Sequence, residues 1–107
     1  VNTKRQAEML GLDEEEYLEL IDLFLKIGMS DLNDLEFAIK EGKAEEVASA
    51  AHSLKGASAN LRLSEICDSA GRLEAKGRSH DLSGARELVR IIRANLESIA
   101  EVRPIEK

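Results

Sequence analysis

Between Asp13 and Gly42 the apolar and small residues Tyr17, Ile21, Phe24, Gly28, Leu32, Leu35 and Ile39 recur at steps of three and four. Such steps keep to one face of an α-helix, whereas a half-buried strand needs strict alternation, so this stretch can bury its apolar side only as a long helix. Asp13 and Glu16 have the spacing of a capping box at its start, and Gly42 supplies the stop. Gly28 costs a helix interior about 1 kcal/mol, and Ser30 could cap a fresh start. One helix with room to bend at Gly28 is preferred to two.

The rest of the chain has the same period. Ala, Leu, Glu, Lys and Arg dominate, and the only aromatics are Tyr17, Phe24 and Phe37, so the reading is all-α with an aliphatic core. Thr3 with Gln6 has capping-box spacing and Gly11 closes a short first helix near residues 3 to 10. A third helix is expected from Ala44 to Leu61, with Glu45 and Glu46 favoured by the helix dipole and Lys43 a poor cap. Glu14, Glu15 and Glu16 complement the start of helix two in the same way. Ser64 is expected to cap a fourth helix that turns Ile66, Ala70 and Leu73 inward and ends at Gly77. Asp81 or Ser83 opens a fifth, with Ala85, Leu88, Val89, Ile92, Leu96 and Ile99 inward and Pro104 marking the exit. Links of a few residues between four amphipathic helices predict an antiparallel up-and-down four-helix bundle, with the short N-terminal helix across one end. Residues 1–107 read as a single domain.

Charge and composition exclude several functions. Fifteen basic against twenty-one acidic side chains leave a net charge of −6, which opposes general binding to nucleic acid or anionic lipid, and three aromatics make no stacking platform for bases. No stretch approaches the ~20 apolar residues that span a bilayer, and no signal-peptide core is present. A single cysteine, Cys67, rules out an internal disulfide and a cysteine-rich zinc site, and fits a reducing, cytoplasmic setting. Beside Ile66, it reads as a small buried apolar group.

One segment carries chemistry. With about 100° per residue and Val47 as zero, Ala51, Leu54, Ser58 and Leu61 fall within about 40° of one stripe and define the buried face of helix three. His52 falls about 140° away, among Ala48, Ser49, Gly56 and Ala59. An exposed helix face ordinarily carries long charged side chains, so a histidine ringed by small residues is an imidazole accessible to a large partner. Lys55, one turn along, can reach an anionic group on that imidazole; Arg62 is the other nearby cation. Gly56 lies in mid-helix on the face away from the core, where close approach by a partner accounts for it.

Ala51-His52-Ser53-Leu54-Lys55-Gly56-Ala57-Ser58-Ala59-Asn60-Leu61 resembles the A-H-x-L-K-G-x-[SA]-x-x-[LIM] signature of histidine-containing phosphotransfer (Hpt) domains, the relay modules of multistep two-component signalling. The resemblance covers one helix by motif and the remainder by helix order. It implies a four-helix bundle in which His52 is phosphorylated, Lys55 assists the phosphoryl group and Gly56 leaves room for a docking receiver domain. Ala48, Ser49 and Ala59 border that docking surface. It implies phosphoryl transfer from a receiver aspartate to His52 and on to a second receiver, with no cofactor or metal of this chain and magnesium on the receiver. Partners are then response-regulator receivers and a sensor or hybrid histidine kinase; charge and hydropathy leave no nucleic acid and no membrane among them, and five short-linked helices can close the core of a monomer. Two departures stand out: Arg62 where the family usually has glycine, and Lys43 where it usually has an acidic cap.

Neutral imidazole is a competent nucleophile near pH 7, so phosphoryl transfer here needs positioning and charge neutralisation without a general base. No glycine-rich phosphate loop is present, and the chain reads as a phosphoryl carrier without kinase activity of its own. His80, in the link after Gly77, reads as a solvated loop residue, and Ser58 as a hydroxyl bonded back to a preceding carbonyl. Two alternatives stay open: the phospho-accepting N-terminal domain of a chemotaxis-type kinase, and a helical adaptor whose histidine is idle.

Overall fold

The computed structural model describes residues 3–102. Five helices follow one another: α1 (Thr3–Met9), α2 (Glu14–Lys40), α3 (Ala44–Asn60), α4 (Ser64–Arg78) and α5 (Ala85–Val102), with no strand among the described residues. α3 packs between α2 and α4, α5 packs against α4 and α2, and α1 lies on α2, so the four longer helices form a ring around one core. Tyr17, Ile21, Leu32, Leu35, Leu54, Ile66, Leu73, Ile92 and Leu96 fill it. Each aliphatic side chain buried there contributes about 1.5–3 kcal/mol. The one phenol is satisfied: Tyr17 donates to the Leu61 carbonyl at 2.7 Å, tying the start of α2 to the end of α3.

α2 runs unbroken through Gly28. Its capping box forms as expected, with the Glu16 amide donating to Asp13 Oδ1 at 2.8 Å and the Asp13 amide to Glu16 Oε1 at 3.1 Å. Gly28 is buried, and a Cβ there would stand 3.3 Å from a methyl of Leu96, so the glycine makes room for α5 instead of bending the helix.

All four turns close in one way. After α2 the Gly42 amide donates to Ile39 and the Lys43 amide to Ala38; the same pair of bonds recurs at Gly11 and Leu12, at Arg62 and Leu63, and at His80 and Asp81. This is the Schellman arrangement, which requires a left-handed residue just past the helix. Gly11 and Gly42 supply it at φ 73° and 71°, but Arg62 and His80 occupy it at φ 60° and 58° without glycine's freedom.

Several expected boundaries shift for local reasons. Gly77 does not end α4: it is helical and buried, and His80 three residues on makes the left-handed turn. Ser64 is the first residue of α4, and the cap position belongs to Leu63, which offers no side-chain bond. Neither Asp81 nor Ser83 opens α5, which starts at Ala85; Asp81 Oδ1 instead accepts from the Ser83 amide and hydroxyl, at 3.1 and 2.6 Å. Thr3 and Gln6 do not pair with each other. Thr3 donates to Glu14, and Gln6 to the carbonyl of Arg62. Cys67 is half-buried, not buried. Pro104 lies outside the described residues.

Candidate functional site

The rotation arithmetic for α3 holds. Val47, Ala51, Leu54 and Ser58 are buried, and the Ser58 hydroxyl donates to the carbonyls of Leu54 and Lys55 at 2.8 and 3.0 Å, which occupies it within its own helix. The His52 side chain is 67% exposed. Gly56 faces open space, with nothing within 4 Å of a Cβ placed there. Ser49 and Ala59 are exposed and Ala48 is half-buried.

What the sequence reading lacked is the opposite wall. A Cβ on Gly77 would lie 2.6 Å from the backbone nitrogen of Ala48 and 2.7 Å from the Ala44 carbonyl oxygen, so only glycine lets α4 approach α3 this closely. That approach brings Glu74, one turn before Gly77, to the imidazole. Glu74 Oε2 lies 2.9 Å from His52 Nδ1 and accepts from Arg78 Nη2 at 2.6 Å, while Oε1 lies 3.2 Å from Lys55 Nζ. Its side chain is only 7% exposed. A carboxylate so poorly hydrated stays ionised only when its oxygens are paired, and here every pairing is with a nitrogen of a basic side chain. The Arg78 hydrogen bonds, which outweigh the cost of burial, lead the bonds from Lys55 and His52 in holding its pKa down at about 2.

This pairing fixes the ring. An ionised carboxylate can only accept, so Nδ1 of neutral His52 carries the proton and Nε2 keeps its lone pair. The neutral imidazole, exposed on this face, is therefore held in one tautomer with the lone pair on Nε2. His52 opens onto a groove walled by Ala48, Ser49, Gly77, Arg78 and His80. His80 thus reaches the rim of the histidine's groove from the α4–α5 turn.

Among the described residues, the cation that joins Lys55 beside His52 is Arg78. Arg62 is not: it follows the end of α3, ten residues from His52 or about 15 Å along a helix, where its backbone binds Gln6. Lys55 is not idle surface charge either, because its ammonium pairs with Glu74. Glu74 and Arg78 escaped the sequence reading, although a signal existed. With Ile66 as zero, Glu74 falls about 80° round α4, beside Ala70 at about 40°, so it is a carboxylate at the edge of the apolar stripe with an arginine at i+4.

Beyond His52, the exposed apolar side chains Leu20, Leu23 and Ile27 of α2 border a groove that Ala57 and Asn60 of α3 complete. Among the described residues no cluster of histidine, cysteine and carboxylates could hold a metal ion, and no helix is long and apolar enough to cross a membrane.

A search of curated protein sequences found no match. Among solved structures, the crystal structure of histidine-containing phosphotransfer protein B (HptB) from Pseudomonas aeruginosa PAO1 superposes with a TM-score of 0.82 at 26% identity, covering 92% of this chain and 85% of that one. The sequence profile of the Hpt domain matches residues 19–102, a span that holds α3, α4 and every residue of the His52 cluster. The chain belongs to the Hpt domain family.

Proposed function

We propose that this domain is a histidine phosphotransfer intermediate of a multistep phosphorelay, in which His52 Nε2 takes a phosphoryl group from a receiver-domain aspartate and passes it to the aspartate of another receiver. The observation that carries the reading is the Glu74 contact to Nδ1, which in the neutral ring places the lone pair on Nε2, on an exposed face. In the forward step the Nε2 lone pair attacks phosphorus in line, the P–N bond forms as the P–O bond to the aspartate breaks, and the aspartate leaves as a carboxylate. No proton moves. The phosphorylated ring is then cationic, with Nδ1–H still bonded to Glu74, whose charge offsets it. Lys55 lies one turn from His52 and can turn from Glu74 to the phosphoryl oxygens. Magnesium belongs to the receiver.

The docking surface in this proposal takes in Gly56, Ala48, Ser49 and Ala59, and extends over Leu20, Leu23 and Ile27. Exposed aliphatic side chains next to small ones suit a receiver surface that must close over the imidazole and exclude water. The up-and-down antiparallel arrangement, a single monomeric domain and a cytoplasmic setting complete the reading. Short links, the ring of helix contacts and a lone thiol support them.

The test is transfer from a phosphorylated receiver. Wild type should acquire acid-labile, base-stable label and His52→Gln none. Leu23→Glu should fold normally and accept label at least about tenfold more slowly, the effect of losing some 1.4 kcal/mol of docking. Label on His52→Gln defeats the assignment of the acceptor; full-speed transfer by Leu23→Glu removes α2 from the docking surface.

A further inference from the structure

The ring of helices has two opposite edges. α3 and α4 carry His52 on one; α2 and α5 meet on the other. At the α2–α5 edge a groove has Val89 buried and Ile39 half-buried within it, with Lys40, Arg86 and Arg90 exposed and Arg93 half-buried around it. In a chain of net charge −6, four cations gathered at one groove are an inversion of the surface.

Two of the four are already neutralised. Arg93 donates to Glu36 at 2.6 Å, and Arg90 pairs with Glu87 on its own helix. Lys40 and Arg86, which approach from opposite walls, form no ion pair among the described residues. The groove therefore offers unmatched positive charge on both sides of an aliphatic floor. A phosphate ion would use the charge and leave the floor uncovered. A nucleic acid would meet no aromatic on which to stack and a chain that repels it elsewhere. A peptide with carboxylates flanking an aliphatic side chain uses both, because the anchor buries against Ile39 and Val89 while the carboxylates meet Lys40 and Arg86.

We propose that the α2–α5 groove binds an acidic, aliphatic-anchored peptide segment of a protein partner, and that it does so while the His52 face is free for a receiver. The proposal is independent of the chemistry assigned to His52. Its role would be to hold the domain near another component of its pathway, which raises the effective concentration of each encounter without competing for the imidazole.

The experiment measures fluorescence anisotropy of a labelled short peptide in which leucines alternate with pairs of glutamates. Unlabelled oligoglutamate of equal charge, inorganic phosphate and a single-stranded oligonucleotide serve as competitors. The labelled peptide should bind at least about tenfold more tightly than oligoglutamate, and more weakly as salt rises. The Lys40→Glu, Arg86→Glu double variant should lose binding by at least about tenfold. It should keep its helical circular dichroism and its rate of phosphotransfer, and His52→Gln should bind as wild type does. Should charge reversal unfold the chain, Arg86→Ala is measured instead, with a smaller loss expected. Equal affinity for oligoglutamate, phosphate or the oligonucleotide overturns the proposal by reducing the groove to bare charge. Absence of binding, or full binding by the double variant, overturns it too. So does self-association of wild type in sedimentation that the double variant abolishes, which would make a second copy the occupant.

Discussion

Glu74 on α4 meets His52 on α3 at Oε2, 2.9 Å from Nδ1, and the same oxygen accepts from Arg78. The contact joins fold to chemistry. Gly77 permits the approach of the helices, Arg78 and Lys55 keep the carboxylate ionised, and the carboxylate decides which imidazole nitrogen keeps its lone pair.

Replacing Glu74 with Gln should therefore slow phosphotransfer by about tenfold to a hundredfold, the range that loss of an orienting carboxylate costs a metal-bound histidine. Affinity for the receiver should change far less. The same substitution should alter acid stability. Glu74 ionises at about 2 in the fold against an ordinary 4.5, so the folded state binds this proton less readily than the unfolded state. The contribution is complete above pH 4.5 and is lost as the pH falls through about 2. In urea unfolding the wild type should exceed Glu74→Gln near neutrality, and the gap should close across that window. A gap independent of pH would mean that the carboxylate is not ionised there.

Two glycines in facing helices should respond in opposite ways. Gly56→Ala fills open space in a helix interior and should stabilise the domain by up to ~1 kcal/mol, yet slow transfer, with Gly56→Leu slowing it more. Gly77→Ala forces a Cβ into the backbone of α3 and should destabilise by about 2 kcal/mol or more. It should also lower transfer, because Glu74 moves with α4. Parallel unfolding and transfer measurements settle both; a harmless Gly77→Ala would refute the close approach.

Arg62 and His80 hold left-handed positions that glycine fills at the other two turns. Arg62→Gly and His80→Gly should each raise stability by about 0.5–1 kcal/mol, by relieving the left-handed conformation of a residue with a Cβ. Thermal unfolding is the check. Destabilisation by either substitution would show that its side chain contributes more than its backbone costs.

The helices and the buried face of α3 were legible in the sequence because periodicity of three and four is a local property, and Asp13, Gly11 and Gly42 act within a few residues of themselves. The usual family glycine at Arg62 has its reason in the left-handed turn there. Gly77 misled for a related cause. Glycine past a helix stripe signals a stop, but here it answers the backbone of another helix, which no window along the chain contains. Glu74 and Arg78 were hidden in the same way: His52 and Glu74 are twenty-two residues apart, and only the packing of α4 on α3 makes them neighbours. His80 read correctly as an exposed turn residue, while its place on the rim of the His52 groove depends on where α4 stops.

The most direct test is to ask which nitrogen takes phosphorus. The domain, labelled with nitrogen-15 and treated with phosphoramidate, would be followed by long-range nitrogen–proton correlation of its two imidazoles. The structure predicts one phosphorylated ring, His52, bonded to phosphorus at Nε2 and still protonated at Nδ1, with His80 unmodified. Phosphorus on Nδ1 of His52, or on His80, would contradict the account.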